Sequence, residues 1–365
     1  MKRRRILQAG LSSTVGIPLF AAVKKGSFDA TAEVLQKATS SGQVKSATIY
    51  VRRKGETFSW AFGGATSVNA SFLLGSISKP IAIAAVMSVF DAGEFKLDDR
   101  VDKYLPEFLG DGREAITMRH LLTHISGLPD QLPDNAQLRA AHSPLSQFVT
   151  AAIATPLLFA PGSKYSYSSM AILLACEVAQ RITRKSISTL VDEVVCQPLQ
   201  LEHTALGVGR LDEKTLMRCQ VEHAALESGA GDPTTKSWDW NSDYWRRLGT
   251  PWGGVFASSG DVARFLDAFL HPQGNMLQAE TARMMIRNHN PPNMKARGLG
   301  FDLGSGLSGP TREDVFGHSG STGTICWADP KTDSICVVLT TLPSQAITPH
   351  PCDVVSRRVA KMLGS

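Results

Sequence analysis

An almost unbroken apolar run follows residue 76 and is the most distinctive pattern along the chain. Between residues 77 and 90 only three side chains are polar, and Asp91-Ala-Gly93 then supplies a helix stop signal. Because a helix that is apolar all round is a buried one, the pattern predicts an interior helix. Pro80 fits this prediction only if the helix begins right at Ser76, since proline is tolerated in the first turn and not beyond it.

Runs rich in β-branched residues lie near both ends of the chain, and helical spacing dominates between them. Two of the β-rich runs are joined by Arg53-Lys-Gly-Glu56, which is a hairpin signal. The pattern predicts an α/β (α+β) fold in two lobes: an antiparallel sheet built from both termini and flanked by helices, with an inserted, mainly helical lobe. A site would lie in the crevice between the lobes. The predicted strands are 46–52, 57–62, 299–303, 315–316, 324–328 and 334–341, and the predicted helices include 30–39, 145–154, 170–182, 354–363 and one that starts after Ser258.

Residues 1–25 resemble an export signal. Four basic residues at positions 2–5 precede a modestly apolar segment, and Arg3-Arg-Arg-Ile-Leu-Gln8 is similar to the twin-arginine pattern. We therefore expect export to the periplasm or the extracellular space and no stable membrane span after processing, the alternative being an uncleaved anchor. The remaining residues, 26–365, form one predicted domain with a sheet lobe at about 28–95 and 290–365 and a helical lobe at about 96–289.

The composition is that of a soluble globular protein, with 43% hydrophobic and 19% charged residues among 365. Cleavage after Ala22 would remove four positive charges and lower the formal net charge from +5 to +1. The basic character therefore belongs mostly to the N-terminal segment, and we expect no nucleic-acid partner.

The cysteines and histidines show no convincing metal-ligand spacing, so we expect no metal and no cofactor. The six cysteines lack a C-x-x-C pair; Cys326 and Cys336 flank a turn and a bridge there is conceivable, but buried free thiols are the better interpretation. His120 and His124 are four apart on a predicted helix, yet the glutamate of a zinc motif is missing at Leu121. A packing or capping role is the better interpretation for both histidines.

Ser76 and Lys79 stand three residues apart at the start of the apolar run, so on a helix they share one face. A serine hydroxyl needs a neighbouring base to act as a nucleophile, and an amine in apolar surroundings resists protonation and can be that base. The helix N-terminus adds backbone N–H groups where an oxyanion would form. The pair predicts nucleophilic catalysis, although Ser-x-x-Lys alone is short and also occurs by chance.

The segment 207–252 has little periodicity and carries four tryptophans and a tyrosine near its end. Such aromatic density suits a lid or a substrate wall, and it suits a plain surface subdomain equally well.

With these elements in order, the chain resembles the serine β-lactamase and penicillin-recognising family, in particular the branch of class C β-lactamases, D-alanyl-D-alanine carboxypeptidases and related esterases. The first motif is Ser76-x-x-Lys79. The second is Tyr167-Ser-Ser169, where the family usually has Tyr-x-Asn, and the third is His318-Ser-Gly320, where β-lactamases have Lys-Thr-Gly and some peptidases and esterases carry His. The resemblance spans residues 43–363.

The resemblance implies acyl transfer through an acyl-enzyme at Ser76. Lys79 and Tyr167 would share the proton transfers, one accepting the serine proton and one delivering it to the leaving group. Tyr167 can act as a base only if Lys79, helped by His318, stabilises its anion, because a phenol titrates near 10 in water. The backbone N–H groups of Ser76 and Ser321 would form the oxyanion hole.

The resemblance also implies that His318, Ser319, Gly320 and Ser169 contact the substrate. Two of these depart from the family pattern: a neutral His318 offers only a hydrogen bond where lysine carries a charge, and Ser169 lacks the amide of asparagine. Both departures weaken the case for β-lactam hydrolysis.

We therefore expect carboxylesterase-like hydrolysis of a small-molecule ester. Hydrolysis of a D-alanyl-D-alanine peptide or another cell-wall D-peptide amide is a close second, and β-lactam hydrolysis is third. A catalytically silent penicillin-binding sensor is the non-enzymatic alternative. An α/β-hydrolase is excluded because no Gly-x-Ser-x-Gly pentapeptide occurs.

Overall fold

The computed structural model describes residues 19–365, with side chains from Phe28 onward except at Ser305. Most of the predicted export signal, residues 1–18, lies outside this part of the chain. Leu19 begins helix α1, which continues to Ser40, so the helix predicted at 30–39 is present and longer. Across the described helices, no stretch combines the length and the apolar character needed to cross a membrane.

A six-stranded antiparallel sheet forms the centre of the fold, in the order β2-β1-β9-β8-β7-β6. Strand β1 pairs with β2 through the two-residue turn Lys54-Gly55, in which both residues have positive φ, as the tightest hairpins require. Strand β1 also pairs with β9, so the two ends of the chain meet at the middle of the sheet and the prediction is confirmed. The strands are β1 (Ser46–Arg53), β2 (Glu56–Gly63), β6 (Asp302–Leu303), β7 (Phe316–Gly320), β8 (Thr324–Asp329) and β9 (Ser334–Thr340).

Each face of this sheet has its own hydrophobic core. Helix α1 and helix α11 (Pro351–Leu363) cover one face, and the second, larger core extends from the other face into the helical part. Cys326 and Cys336 lie on neighbouring strands, but Cys336 pairs across from Trp327, so the two thiols point to opposite faces. All six cysteines are free and buried, which confirms the free-thiol prediction.

The apolar run forms the predicted interior helix. A 3₁₀ turn at Gly75–Ile77 leads into helix α2 (Ser78–Asp91), and every residue from Ser78 to Met87 is buried. The α-helix therefore begins two residues after Ser76, and Pro80 occupies its first turn, where the missing N–H has no intrahelical acceptor. Helix α2 packs against helix α6 (Ser169–Thr183).

His120 and His124 do not share a helix, contrary to the expectation from their spacing. Helix α3 spans Met118–Leu122, and His124 lies beyond its end with a φ of +62°. His120 closes a capping box with Thr117, so the capping role is confirmed for that histidine.

The remaining described elements connect these parts. A second sheet has three strands in the order β3-β5-β4. Its strands are β3 (Phe72–Leu73), β4 (Ala205–Leu206) and β5 (Val255–Ala257), and the other helices are α4 (Asn135–Ala140), α5 (Leu145–Ala154), α7 (Ile187–Val191), α8 (Asp243–Leu248), α9 (Ser259–Leu270) and α10 (Ala279–Met285).

Candidate active site

Two threonine hydroxyls bond the chain before Ser76 to the β7–β8 hairpin, one from its turn and one from the first residue of β8. Thr322 Oγ1 donates to the carbonyl of Leu73 and Thr324 Oγ1 to that of Leu74, each at 2.7 Å. All four residues are buried, so these bonds are protected from competition by water. They hold the start of the catalytic helix against the end of strand β7.

Two glycines allow the backbones to approach closely at this junction. Gly75 has a φ of +56°, and a Cβ there would lie 3.1 Å from the Ser321 nitrogen. A Cβ on Gly320 would lie only 2.1 Å from the Leu74 oxygen. Ser76 and Ser321 are thereby brought together, and Ser76 lies in a first helical turn, whose N–H groups have no intrahelical partner. This is the arrangement expected of the predicted oxyanion hole.

Lys79 is buried beside the nucleophile. Its Nζ lies 3.1 Å from Ser76 Oγ and donates to the Trp252 carbonyl at 2.9 Å. Burial lowers the pKa of Lys79 to about 7; the charge of Arg297 acts in the same direction, and the carboxylate of Asp130 opposes it. A neutral amine with one N–H directed to a carbonyl has its lone pair available for the serine hydroxyl.

Tyr167 stands on the other side of Lys79, with Nζ 4.7 Å from the ring centroid. Its Oη is buried and has no hydrogen bond of ordinary geometry in the described structure. Burial raises the pKa of the Tyr167 phenol far above its usual value, although Arg297 and the nearby Ser76 hydroxyl favour the anion. In the resting site Tyr167 is therefore a neutral phenol, better suited to donate a proton than to accept one.

His124 positions the loop that carries Tyr167. Its Nδ1 accepts from Ser168 N at 3.1 Å, and its carbonyl accepts from Ser166 N at 2.9 Å. The centres of the His124 and Tyr167 rings are 4.6 Å apart. Burial lowers the pKa of His124 well below its usual value, so the ring is neutral. The packing role predicted for this histidine is confirmed, and the residue it packs against is part of the site.

His318 belongs to a buried network with Arg297 and Asp302, which the partly exposed Lys295 joins from the cleft side. Arg297 donates to Asp302 and, from Nη2, to the carbonyl of Gly300 at 3.3 Å and to His318 Nε2 at 2.8 Å. Lys295 donates to the same carboxylate oxygen of Asp302 at 3.0 Å. Burial disfavours the Asp302 charge, yet Arg297 and Lys295 hold the pKa of that carboxyl below its usual range.

The same network fixes the charge of His318. Burial lowers the pKa of His318 to about 3; Asp302 opposes this, whereas Arg297 and Lys79 reinforce it. His318 is therefore neutral, as we expected, and the positive charge near Tyr167 comes instead from Arg297, whose Cζ lies 5.6 Å from the tyrosine ring.

Ser169 does not point its hydroxyl freely into the cleft. Its N–H and Oγ both donate to Asp130 Oδ1, at 2.8 and 2.6 Å. The group presented at this position is consequently an exposed carboxylate, with acceptor capacity only. Ser319 is exposed at the cleft edge, whereas Gly320 is buried against Leu74.

Two cavities meet at Ser76, Tyr167 and Ser321. The larger, of about 490 Å³, is bounded by His318, Ser319 and Lys295. The smaller, of about 180 Å³, reaches three of the four tryptophans in the aromatic segment, which supports the substrate-wall interpretation. We call them the histidine-side and the tryptophan-side cavity; the tryptophans are Trp240, Trp245 and Trp252.

The structure thus brings every predicted site residue to one cleft: Ser76, Lys79, Tyr167, Ser169, His318, Ser319, Gly320 and Ser321. Sequence reasoning missed Arg297, Asp302, Asp130 and the Trp252 carbonyl. The density of tryptophans around position 252 was a signal that could have pointed to the Trp252 carbonyl. In the sequence Arg297, Asp302 and Asp130 look like ordinary surface charges. Among the side chains described from Phe28 onward, no three His, Cys, Asp or Glu converge as a metal site would require.

Comparison with known proteins agrees with this geometry. Residues 28–347 match the family described as Beta-lactamase. A putative D-alanyl-D-alanine carboxypeptidase of Escherichia coli (strain K12) is 26% identical over 294 residues, 72% of this chain and 67% of that relative. Esterase EstB of Burkholderia gladioli is 36% identical over 143 residues, 35% of this chain and 36% of EstB.

Solved structures share the fold at low identity. EstCE1, a hydrolase with promiscuous acyltransferase activity, has a TM-score of 0.74 at 21% identity and covers 92% of this chain and 100% of its own. A penicillin-binding protein homolog from Caulobacter crescentus has a TM-score of 0.73 at 21% identity and covers 92% of this chain and 97% of its own.

Proposed function

The chain belongs to the Beta-lactamase family and is a serine hydrolase of that fold; from this premise we propose that it hydrolyses small carboxylic esters through an acyl-enzyme at Ser76. The observation that carries the choice of ester is the charge state of the histidine side. His318 is neutral, and Arg297 behind it is completely buried and engaged with Asp302. A neutral ester leaving group suits this wall better than a free carboxylate does.

The residues have distinct roles in the proposed reaction. Neutral Lys79 accepts the Ser76 proton as Oγ attacks the ester carbonyl, because its amine is in contact with that hydroxyl and has the lower pKa of the two candidate bases. The backbone N–H groups of Ser76 and Ser321 stabilise the oxyanion.

Collapse of the tetrahedral intermediate breaks the bond to the alkoxide. Tyr167 gives its proton to that oxygen and takes the proton held by the Lys79 ammonium, which returns the amine to its neutral form. Water then attacks the acyl-enzyme, and the same groups remove its proton and return one to Ser76 Oγ. Proton balance is restored after each half-reaction.

Hydrolysis of a D-alanyl peptide is the second candidate, and Lys295 is the observation that favours it. The Lys295 side chain is about two-fifths exposed at the histidine-side cavity, and among the described residues its ion pair is with Asp302 alone, so the ammonium can meet a substrate carboxylate. If this function is correct, Lys295→Gln raises KM for a D-alanyl-D-alanine peptide and leaves KM for a neutral ester unchanged.

Export of the enzyme is a separate part of the proposal. It is supported by the basic residues at positions 2–5 and the apolar segment after them. Fractionation of cells that express the full chain, with Lys2–Arg5 replaced by glutamine as the control, tests it.

Intact-mass analysis of the purified protein tests the chemistry. We expect a fluorophosphonate to add to the wild type and not to Ser76→Ala, and benzylpenicillin to leave no long-lived adduct. A stable penicilloyl adduct would favour the D-alanyl peptidase, and rapid penicillin hydrolysis would favour a β-lactamase. Absence of any adduct together with absence of ester turnover would contradict catalysis and favour the silent sensor.

A further inference from the structure

The tryptophan-side cavity contains a buried guanidinium that no residue neutralises. Arg139, on helix α4, is only 2% exposed. Throughout residues 28–365 its guanidinium makes no hydrogen bond and no ion pair, and its Nε and Nη1 are buried without an acceptor. Its Cζ lies 4.0 Å from the centre of the Trp245 ring, so the guanidinium stacks on one wall of the cavity.

Such an arrangement is unfavourable in an empty site. Burying a cation without a partner is costly, and buried charges in proteins are normally paired. Stacking on tryptophan compensates part of the lost hydration but leaves the N–H donors unused. Burial lowers the pKa of Arg139 to about 10, so the group remains charged at neutral pH. An anionic ligand would supply the missing acceptors.

The acidic residues of the same cavity do not take that place. Asp130 already accepts two bonds from Ser169 through one oxygen. Glu227 is exposed and favours the charge of Arg139 only from a distance, without an ion pair between them. Toward helix α4 Glu227 presents its backbone carbonyl, which accepts from Asn135 Nδ2 at 3.4 Å.

We propose that Arg139 binds a carboxylate on the acyl part of the substrate, so that the enzyme prefers half-esters of short dicarboxylic acids. The inference rests on the proposed ester hydrolysis. We assign the leaving alcohol to the larger histidine-side cavity, where His318 accepts from Arg297 as a neutral ring, and the acyl part to the tryptophan side. A guanidinium can bind a carboxylate through two parallel hydrogen bonds, which a lysine cannot reproduce. The cavity volume of about 180 Å³ suits a chain of a few carbons between the two carboxyl groups.

The test compares monoethyl glutarate with ethyl glutaramate, a neutral isostere in which an amide replaces the free carboxylate. Ethanol release gives kcat/KM for both, and we expect the wild type to prefer the half-ester at least tenfold. Arg139→Gln should reduce this ratio to about one, mostly through KM, and Arg139→Lys should retain part of it. Arg246→Gln is the matched control: Arg246 is buried on α8 with unpaired Nε and Nη2 but lies outside the cavity, so its loss should leave the ratio intact.

Protection from fluorophosphonate provides a second measurement that does not depend on turnover. Glutarate should slow labelling of Ser76 in the wild type and not in Arg139→Gln, with melting temperatures recorded for each variant. A ratio near one in the wild type, or protection that survives in Arg139→Gln, would overturn the carboxylate site while leaving ester hydrolysis in place. If the wild type shows neither esterase activity nor labelling of Ser76, the proposed function itself is contradicted.

Discussion

Arg297 Nη2 lies 2.8 Å from His318 Nε2, and this contact determines which proton the histidine carries. A guanidinium can only donate, so Nε2 accepts and Nδ1, 2.7 Å from the Ser319 carbonyl, bears the hydrogen. The bond from Arg297 requires the neutral ring, because a protonated Nε2 could not accept it. His318, where the resemblance to β-lactamases would place a lysine, is therefore an uncharged group with a charged one behind it.

The pH dependence of acylation should follow Lys79 alone. The amine must be neutral to accept the Ser76 proton, so kcat/KM for a neutral ester should rise with pH and level off above a midpoint near 7, where the pKa of Lys79 lies. His318, with a pKa of about 3, should add no step between pH 5 and 8.

Stopped-flow acylation across pH 5–9 measures this profile. His318→Gln provides the control, because its midpoint should remain near 7 whatever happens to its rate. A midpoint that moves by a full pH unit in that variant would assign the titration to the histidine and contradict the scheme.

Removal of Arg297 should destabilise the protein because the buried carboxylate of Asp302 loses its main counter-ion. In Arg297→Gln the Asp302 carboxylate stays buried with only the partly exposed Lys295 as a counter-ion, so we expect a loss of about 3–5 kcal/mol in the free energy of unfolding. The double variant Arg297→Gln/Asp302→Asn should recover much of it. Urea denaturation of the three proteins measures both values, and a double variant no more stable than the single one would show that the pair is not the cause.

Local patterns predicted the parts of the fold that depend on local chemistry. The apolar run of α2, the hairpin at Lys54-Gly55 and the buried terminal strands all have a short-range cause, and their positions were correct to within a few residues. Ser76 and Lys79 are also local, since three residues on a helical turn place them side by side. Tyr167 and His318 followed only from the ordered resemblance.

The site residues that the sequence did not predict are placed by contacts between distant segments of the chain. Arg297, 21 residues before His318, is the only arginine in this cleft whose charge reaches Tyr167, among the residues described, and its sequence neighbours are typical of a surface loop. Composition and periodicity cannot distinguish a buried arginine from a solvated one. The burial of Arg139 could not be predicted for the same reason, since its helix, α4, is too short for a clear periodicity.

Gly320→Ala should disable the oxyanion hole. The new Cβ would lie 2.1 Å from the Leu74 oxygen and 2.3 Å from Thr324 Oγ1, so strand β7 or the start of the catalytic helix must move. We expect kcat to fall by about 10²–10³-fold, the usual effect of losing one oxyanion donor. Gly260→Ala is the matched control, because a Cβ there meets nothing within 4 Å on helix α9, and kcat should be unchanged. Equal effects of the two substitutions on kcat would contradict the close approach at Gly320.

Lys79→Met should make the protein more stable and nearly inactive. Loss of the general base should lower kcat by about 10²–10⁴-fold. The stability gain has a sign that can be derived: the pKa of Lys79 falls from 10.5 unfolded to about 7 folded, so between these values the unfolded chain binds more protons and wild-type stability rises with pH. Below about pH 7 the full penalty, on the order of a few kcal/mol, is present. Methionine carries no charge and avoids it.

Unfolding free energies of both proteins at pH 6 and pH 9 test this. The variant should exceed the wild type at pH 6, and the difference should shrink at pH 9, where the wild-type amine is neutral in the folded state. A difference in packing between methionine and lysine cannot produce that pH dependence, because the shape of each side chain is the same at both pH values. Ser76→Ala is the control, because it also abolishes activity but leaves the buried amine in place. If the stability of Lys79→Met relative to the wild type does not change with pH, burial does not lower the pKa of Lys79 to about 7. Lys79 could then not be assigned as the base of acylation.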